Sequence, residues 1–558
     1  MMFDLAKKLP RKPFLRAYQN NAWHTTNWAD FARMTASCAR HLQALGIAPG
    51  DRVVICAENR PDYPIAEVAL MAIRAVPVPT YITNTIDDHV HILRDSGARA
   101  AIVSSGALAA RLREAGDKAT GSGLELLLEM ASEQWNRMLA DTIPPDDIIH
   151  QAGTIPPTAM ACLIYTSGTG GAPRGVMLPH RCILSNCQGA FELVRPLRLE
   201  DEIYLSYLPL SHSYEHTVGN FFFASLGTEI VYSRGVEHLA ADMLAIRPTI
   251  LTAVPRVLEV IRGRVMTQVA RQPAWQQKLF KRALDIGYKR LDGTALSPLD
   301  RLIDPVLDRL VRAKIRDRFG GRLKAAVSGG ARLEPDVGRF FLALGLLLLQ
   351  GYGQTEAGPV ISATPPEAIR IETVGLPLRG VDLRLAGDGE ILVRGDLVMD
   401  GYWGRPEDTA LAIQDGWLHT GDIGSIDAAG NLLITDRKRD MIVLSGGENV
   451  SPAKIEGMLM AEPEIAQAVV AGDGRAGLTA LLVPAEGHDD VSVALALTRT
   501  NYRLSVTERV RRHGVVAAFT VENGLLTPTH KIRRLLVIRA NADILARLHA
   551  PHTGHVAG

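Results

Sequence analysis

Short apolar segments typical of strands alternate with longer segments of helical spacing along the first hundred or so residues. Residues 28–47 carry apolar side chains at helical spacing, and residues 51–57 form a short apolar run with β-branched residues. Residues 64–81 combine a helical pattern with a strand pattern, and residues 98–105 predict a further strand. Repetition of strand, helix and strand predicts an α/β fold whose largely parallel sheets are covered by helices on both faces.

Two later regions differ from this alternation. Residues 255–320 are rich in Leu, Arg and Lys at helical spacing, which predicts two or three amphipathic helices with solvated charged faces. From Val381 onward, short strands separated by Gly-Asp turns predict a β-rich segment, and the charged run 436–440 precedes a tail with its own strands and helix. We therefore predict a large N-terminal domain of mixed or parallel sheets covered by helices, with a β-rich subdomain (1–436), and a small α+β C-terminal domain (437–558).

The overall composition limits the classes of partner and compartment. The chain has 61 basic and 60 acidic residues, so nothing in its charge calls for a nucleic-acid partner. Its five cysteines form no CxxC pair, which favours a reducing compartment. The first residues lack the apolar core of a signal peptide, and the longest apolar run, 340–349, is too short to span a bilayer, which needs about 20 residues. We expect a cytoplasmic protein, and peripheral contact with the inner membrane surface is compatible with the sequence.

The stretch 165–180, YTSGTGGAPRGVMLPH, is rich in glycine and hydroxyl residues. Gly170 and Gly175 are spaced as in a P-loop, but the Lys and the Ser or Thr that should follow are absent. A dinucleotide-binding fingerprint fails at Pro173, where its third glycine should stand. Strand-like segments on both sides predict a hairpin whose backbone N–H groups and hydroxyls converge on a polyphosphate. On composition alone, a plain glycine-rich hairpin is an equal alternative.

The same stretch resembles the phosphate-binding signature of the adenylate-forming enzyme superfamily, Y-T-S-G-T-T-G-x-P-K-G-V. Nine of the eleven specified positions match, and the departures are Gly170 for Thr and Arg174 for Lys. The resemblance implies that the loop wraps the β- and γ-phosphates of ATP, and the two departures imply weaker or altered ATP handling. The residues expected to hold these phosphates are Thr166, Ser167, Gly168, Thr169, Gly170, Gly171 and Arg174.

Two further motifs resemble segments of this superfamily that surround the nucleotide. In LQGYGQTEAGPV (349–360), the resemblance implies that Tyr352 packs on adenine and that Thr355 contacts the α-phosphate. It also implies that Glu356 and Thr166 hold Mg²⁺, and one carboxylate with substrate phosphates is a usual Mg²⁺ site. Other residues implied to contact the nucleotide are Gln354 of this motif and Gly329, Gly330 and Ala331 of VSGGARL, a loop that also borders the acyl chain. Taken alone, Glu356 is equally a solvated acid, and VSGGARL an ordinary tight turn.

Later segments resemble the ribose-binding strand, the hinge and the thiol tunnel. In WLHTGDIG, Asp422 is implied to accept both ribose hydroxyls, although Gly-Asp is also a common turn dipeptide. In residues 436–452, Arg437 is implied to contact ribose or phosphate, and Arg439 stands at the hinge. A solvated charge run is the alternative for this segment. After the small domain turns, the tunnel for the coenzyme A thiol is implied to be lined by Ser445, Gly446 and Gly447.

Two residues are implied to act next to the reacting atoms. In LTPTHKIRR, near the C-terminus, Lys531 matches the lysine that offsets negative charge between the carboxylate and the α-phosphate. In LPLSHSYEHTVG, His212 matches a residue that borders the acyl carboxylate, although a lone histidine is more often structural. His216 stands where related sequences carry Arg, which affects the details expected for the substrate. The resemblance as a whole extends from about residue 27 to residue 534.

Within the superfamily, the chain is most similar to long-chain fatty acyl-CoA synthetases. The segments LPLSHSYEHT and VPRVLEVI, the helical stretch before residue 333 and DRKRD carry this similarity. It implies that a fatty acid and Mg²⁺-ATP give acyl-AMP and pyrophosphate, after which coenzyme A displaces AMP. Two alternatives remain at this point: an acyl-AMP ligase that loads a carrier protein, and a non-catalytic nucleotide-binding homologue. A homodimer is compatible with the sequence.

Overall fold

The computed structural model describes residues 1–142, 145–166, 172–446, 448–527 and 531–549. Its largest sheet has nine strands, of which the six central ones run parallel and the outer ones antiparallel. The predicted α/β class is therefore confirmed. In spatial order the nine strands are Leu376–Pro377, Val360–Ala363, Leu348–Gly353, Ala325–Ser328, Ile250–Ala253, Ile203–Ser206, Glu229–Tyr232, Pro13–Gln19 and Ala22–Asn27.

A second sheet is entirely parallel and mostly buried. Its four strands, in spatial order, are Val76–Pro79, Arg52–Cys56, Ala100–Val103 and Leu126–Glu129. The short apolar runs 51–57 and 98–105 lie at its centre, which explains why they lack a polar alternation.

Two antiparallel sheets complete the part of the chain before residue 438. The glycine-rich stretch forms the predicted hairpin, with Met160–Thr166 paired to Arg174–Pro179 and Gly401–Tyr402 added at the edge. The β-rich segment forms a five-stranded sheet in the order Asp382–Leu385, Glu390–Arg394, Trp417–Ile426 and Ile413–Gln414, with Leu432–Arg437 paired to Trp417–Ile426.

The α-helices of this part cover the sheets. They are Met2–Lys8, Trp28–Ala44, Asp62–Ala72, Ile86–Ser96, Gly106–Thr120, Glu133–Met138, Asp146–Gly153, His180–Val194, Phe223–Ser225, Leu239–Ile246, Pro255–Ala270, Ala274–Leu291, Pro298–Leu307, Ala313–Asp317, Pro335–Ala343 and Pro406–Ala412. Shorter helical turns of the 3₁₀ type are Arg195–Leu197, Val236–His238 and Thr355–Ala357. Two segments are π-helical, Glu215–Phe222 and Asp308–Arg312.

The tail forms its own α+β unit. Ile465–Ala471, Leu478–Pro484 and Val510–Val515 form a three-stranded sheet, and Ile442–Val443 pairs with Asn449–Val450. Its helices are Pro452–Met460, Asp490–Tyr502, Arg534–Ala540 and Ala542–His549. Two apolar clusters pack on this unit, and within the described residues all of their members lie between Ile442 and Leu545.

The apolar run 340–349 is largely buried, and it divides at Gly345, whose φ of +77° turns the chain from a helix into a strand. One local prediction needs correction. Residues 255–320 form three helical segments, yet the third does not expose its acidic residues, because Asp300 and Asp304 are buried in ion pairs. No helix in the described part of the chain is long and apolar enough to cross a membrane.

Candidate active site

The parallel strands of the large sheet bring three sequence-predicted segments together. Ile203–Ser206 is followed by the segment that contains His212, Ala325–Ser328 is followed at once by Gly329, and Leu348–Gly353 is followed by Thr355. Because parallel strands end at the same edge of a sheet, loops that are far apart in sequence meet there. A hydrogen bond of 2.9 Å between the hydroxyls of Ser213 and Thr355 joins two of these loops directly.

The residues around His212 are fixed by hydrogen bonds. The Tyr214 backbone N–H donates to His212 Nδ1 at 3.2 Å, and the Tyr214 hydroxyl donates to the Val327 carbonyl at 3.0 Å. The Tyr214 ring packs on Gly329, where an added Cβ would lie only 3.0 Å from the ring. Burial and the charge of Lys531 lower the pKa of His212 to about 3, so that its imidazole is neutral at physiological pH.

The π-helix that follows is anchored by two buried carboxyl groups. Glu215 accepts hydrogen bonds from Tyr204 at 2.7 Å, Ser206 at 2.6 Å and Thr252 at 3.1 Å. Burial raises the pKa of Glu215 to about 7, although the three hydroxyls favour its charged form. His216 Nε2 lies 2.7 Å from Glu67, and this carboxylate raises the pKa of His216 to about 10 against the effect of burial. His216 is therefore a structural cation within the core.

A second polar chain joins the two motifs expected to bind adenosine. The Tyr352 hydroxyl donates to Asp422 Oδ2 at 2.7 Å, and Asp422 Oδ1 lies 3.3 Å from Arg437 Nε on the paired strand. Burial raises the pKa of Asp422 above its ordinary value, although Arg437 and Tyr352 oppose this shift. An aromatic ring, a carboxylate and a guanidinium in this order can stack on a base and bind the hydroxyls of a sugar.

Lys531 reaches this same region from the C-terminal unit. Its backbone is held by Thr527, through hydrogen bonds of 2.8 Å to the Lys531 carbonyl and 3.0 Å from the Lys531 N–H. Lys531 is exposed to solvent. Desolvation by neighbouring groups and the charge of Arg437 lower its pKa to about 8, against the attraction of Asp422. The structure therefore brings Lys531 together with His212, Asp422 and Arg437.

Tyr402 connects the candidate Mg²⁺ ligand Glu356 to Arg174, the strand partner of the other candidate, Thr166. Arg174, paired in register with Thr166, lies over the Tyr402 ring at 4.0 Å and donates to its hydroxyl at 3.1 Å. The Tyr402 hydroxyl in turn donates to Glu356 Oε1 at 2.8 Å. No group of three or more His, Cys, Asp or Glu side chains in the described ranges could hold a metal ion. One carboxylate and one hydroxyl fit Mg²⁺ that takes its other ligands from phosphates and water.

Unpartnered polar atoms mark the wall of this cleft. The Gln354 Nε2 and Ser328 Oγ atoms are buried and lack a hydrogen-bond partner among the residues that the structure covers. Both lie beside glycine-containing ends of the parallel strands, next to Tyr352 and Gly329. Since buried polar groups are nearly always hydrogen-bonded, these atoms fit a polar ligand in the cleft.

The remaining predicted residues are exposed or lie outside the described residues. Gly330 has a φ of +80°, and Ala331 is exposed beside it. Arg439, Ser445 and Gly446 are exposed, and within the described segments no hydrogen bond or ion pair joins them to the other site residues. Outside the described residues lie Ser167, Gly168, Thr169, Gly170, Gly171 and Gly447.

The sequence did not single out Tyr402, Ser213 or Glu215 as members of the site. Ser213 and Glu215 stand within four residues of His212, and this proximity is the only signal that could have drawn attention to them. Tyr402 belongs to a short GYWG segment far from the hairpin in sequence, and only strand pairing brings it to Arg174.

Known proteins resemble this chain over most of its length. A family model described as an AMP-binding enzyme matches residues 3–403, and one described as an AMP-binding enzyme C-terminal domain matches residues 439–543. The long-chain-fatty-acid–CoA ligase FadD15 of Mycobacterium bovis is 31% identical over 582 residues, covering 98% of this chain and 96% of that protein. Human long-chain-fatty-acid–CoA ligase 6 is 30% identical over 535 residues, covering 86% of this chain and 76% of that protein. The structure of o-succinylbenzoate CoA synthetase (MenE) from Bacillus subtilis, in complex with ATP and magnesium, covers 96% of this chain and 98% of its own, with a TM-score of 0.72 and 20% identity.

Proposed function

Because this chain belongs to the family of AMP-binding enzymes, we propose that it is a long-chain fatty acid–CoA ligase that forms acyl-AMP and then acyl-CoA at one site. The observation that carries the proposal is the position of Lys531. This lysine comes from the C-terminal unit and lies within range of the charges of Arg437 and Asp422, and its own charge acts on His212. A cation at this point can neutralise two anions that must approach each other.

The first half-reaction needs no protein nucleophile. A carboxylate oxygen of the fatty acid attacks the α-phosphorus of ATP, the bond from that phosphorus to the β-phosphate bridging oxygen breaks, and pyrophosphate leaves. In our proposal Tyr352 stacks on adenine, Asp422 binds the ribose hydroxyls, and Thr355 and Lys531 contact the α-phosphate. His212 is neutral, so it can border the acyl carboxylate without adding charge. Positioning and charge stabilisation account for the acceleration.

The phosphates and the metal ion belong to the hairpin side of the site. Mg²⁺ bound at Glu356 and Thr166 would neutralise charge on the departing phosphates, as it does in other phosphate-transfer sites. Arg174 keeps a positive charge at the end of the hairpin, and Tyr402 connects it to Glu356. The glycine-rich loop, Ser167 to Gly171, is proposed to wrap the β- and γ-phosphates.

The second half-reaction requires the C-terminal unit to move. We place the boundary between residues 436 and 437 and the pivot at Arg439. The exposed position of Arg439 leaves room for such a turn. After the turn, Lys531 is withdrawn and Ser445, Gly446 and Gly447 line a tunnel for coenzyme A. The thiolate then attacks the acyl carbonyl, the bond from that carbonyl to the phosphate oxygen breaks, and AMP leaves. Domain rotation of this kind is a common catalytic step.

The cellular setting is part of the proposal. We place the enzyme in the cytoplasm, in peripheral contact with the inner membrane surface, because a long-chain fatty acid partitions into lipid. We also propose a homodimer, and light scattering on the purified full chain tests that assembly.

The proposal is tested by measuring pyrophosphate release with saturated acids from acetate to hexadecanoate, each with and without coenzyme A. We expect release to depend on the acid, to increase toward long chains, and to yield acyl-CoA and AMP when coenzyme A is present. Release only with short or aromatic acids would contradict the long-chain assignment. Acyl transfer to a carrier protein but not to coenzyme A would make the enzyme an acyl-AMP ligase instead.

A further inference from the structure

The third helical segment of residues 255–320, Pro298–Leu307, buries its acidic residues and exposes apolar ones, which is the reverse of an ordinary surface helix. Its acidic residues Asp300 and Asp304 are buried, whereas Leu299, Leu302 and Val306 are 60%, 75% and 56% exposed. The same exposed side continues into the π-helical turn, where Leu310 is 47% exposed. Surface helices normally turn their leucines inward and their carboxylates to water, so this face calls for an explanation.

Ion pairs hold this helix with its leucines outward. Asp300 pairs with Arg282 and, at 2.9 Å, with Lys289 of the neighbouring helix. Asp304 pairs with Arg290 and, at 2.8 Å, with the buried Arg312. The inner side is further packed by Leu307 against that neighbouring helix. Since Asp300 and Asp304 form their ion pairs on the inner side, rolling the leucines inward would leave two carboxylates without these cations.

Two basic side chains on the exposed side are unpaired among the described residues, whereas the half-exposed acid Asp308 is neutralised by Arg316 at 2.8 Å. Arg301 and Arg309 are exposed, and neither forms an ion pair with any acid in the described part of the chain. We call the surface formed by Leu299, Arg301, Leu302, Val306, Arg309 and Leu310 the leucine face. It combines four apolar side chains with two uncompensated cations.

We propose that the leucine face docks onto an anionic lipid bilayer, with its apolar side chains in the headgroup region and its two arginines on lipid phosphates. An interfacial helix binds membranes through this combination of apolar and basic groups. The inference rests on the proposed function in one respect: docking delivers the enzyme to the phase in which a long-chain acid concentrates.

The charge pattern disfavours a second copy of the chain as occupant. A two-fold dimer built on this face would set Arg301 and Arg309 against the same residues of the other copy. Like charges in a partly desolvated interface repel, whereas lipid phosphates attract them. A wild type that binds neither kind of vesicle would instead favour a protein partner with an acidic apolar surface.

Flotation of the full-length protein with vesicles tests the proposal. One set of vesicles contains phosphatidylcholine with phosphatidylglycerol, and the other contains phosphatidylcholine alone. We expect the wild type to float with the anionic vesicles, Leu302→Asp to lose at least tenfold of this binding, and Arg309→Glu to lose its preference for anionic lipid. The matched control is Leu495→Asp, because Leu495 is 59% exposed on a helix of the C-terminal unit. This control should float like the wild type.

Three outcomes overturn the proposal: no binding of the wild type to either vesicle, equal binding of Leu302→Asp and Leu495→Asp, or a dimer that only Leu302→Asp dissociates. Thermal unfolding of each variant shows whether it is folded, and Leu302 is exposed enough that we expect no change. Pyrophosphate release measured without vesicles separates this result from the proposed function. Vesicle binding without acid-dependent pyrophosphate release would support docking by the leucine face and contradict the ligase assignment. Acid-dependent pyrophosphate release without vesicle binding would contradict docking and support the ligase assignment.

Discussion

Lys531 has an ionisation that connects the structure to a measurable pH dependence. Desolvation and Arg437 lower its pKa to about 8, so the charged form is lost as pH rises through this value. We predict that kcat/KM for pyrophosphate release, which reports the free enzyme, falls above about pH 8. Lys531→Arg should flatten this decline even if it lowers the rate, because a guanidinium stays charged. Lys454→Arg, an exposed lysine of the same unit, is the control and should keep the wild-type profile.

Tyr402 is predicted to act through Glu356. Tyr402→Phe keeps the ring beneath Arg174 but removes the hydroxyl that bridges Arg174 and Glu356. Because one hydrogen bond to a carboxylate is lost, we expect the Mg²⁺ concentration for half-maximal activity to rise about 3- to 10-fold. Tyr165→Phe is the matched control, since its hydroxyl also donates to a carboxylate, that of Asp95, at 2.7 Å. An equal rise in the Mg²⁺ concentration for half-maximal activity in both variants would show that the effect does not depend on Glu356.

Ser213 is predicted to position Thr355. Ser213→Ala removes the 2.9 Å hydrogen bond between the two hydroxyls. We expect about a tenfold lower kcat for pyrophosphate release with little change in the KM for the fatty acid, because the α-phosphate contact loosens while the acyl pocket stays. Ser211→Ala, a nearby buried serine, should leave kcat close to wild type. Parallel losses in both variants would instead indicate a general packing defect.

At the scale of single residues, the family resemblance predicted most of the candidate site from the sequence. It predicted His212, Thr355, Glu356, Asp422, Arg437 and Lys531, and the structure brings these residues into one cleft or links them to it. The roles assigned to them remain proposals. Tyr402, Ser213 and Glu215 were missed, because their importance arises from tertiary hydrogen bonds that leave no local pattern.

The helix Ile86–Ser96 carries a buried histidine that should make stability depend on pH. His89 is fully buried, and neither ring nitrogen has a partner within the described ranges. Burial and Arg111 lower its pKa from 6.5 to about 4, against the effect of Asp88. Between pH 6.5 and pH 4 the histidine is protonated in the unfolded chain but neutral in the folded chain. The free energy of unfolding is therefore greatest above pH 6.5 and falls as the pH drops toward 4.

We predict that His89 lowers the free energy of unfolding by about 2 kcal/mol when the pH is reduced from 7.5 to 5. Urea unfolding at both pH values measures this change, and His89→Leu should reduce it by that amount. His24→Leu alters an exposed histidine and should leave the pH dependence as in the wild type. The same pH dependence in wild type and His89→Leu would show that other groups cause the acid sensitivity.

Among the elements, those with a simple period were predicted and those shaped by tertiary contacts were not. The helix at 28–47 and the strands at 51–57 and 98–105 appear with ends shifted by a few residues. The π-helix Glu215–Phe222 was not predicted, and the buried bonds that Glu215 and His216 form with distant residues leave no local pattern in the sequence. The inverted helix Pro298–Leu307 was misread, because ion pairs with a separate helix decide which side is buried.

For the whole molecule, the alternation of strands and helices correctly predicted the α/β class, and the ordered motifs correctly predicted the family. What the alternation alone could not provide was strand order, since the nine-stranded sheet joins segments hundreds of residues apart. The domain boundary near residue 436 stays a prediction. The placement of Lys531 against Asp422 and Arg437 gives one arrangement of the two units, and the proposed mechanism requires a second.

The central claim is that one site performs two half-reactions and that Lys531 serves only the first. The direct measurement compares wild type and Lys531→Ala in two assays: pyrophosphate release from ATP with hexadecanoate, and acyl-CoA formation from supplied hexadecanoyl-AMP and coenzyme A. We predict that the variant loses at least a hundredfold in the first assay and stays within about threefold of wild type in the second. Equal loss in both assays would contradict the account.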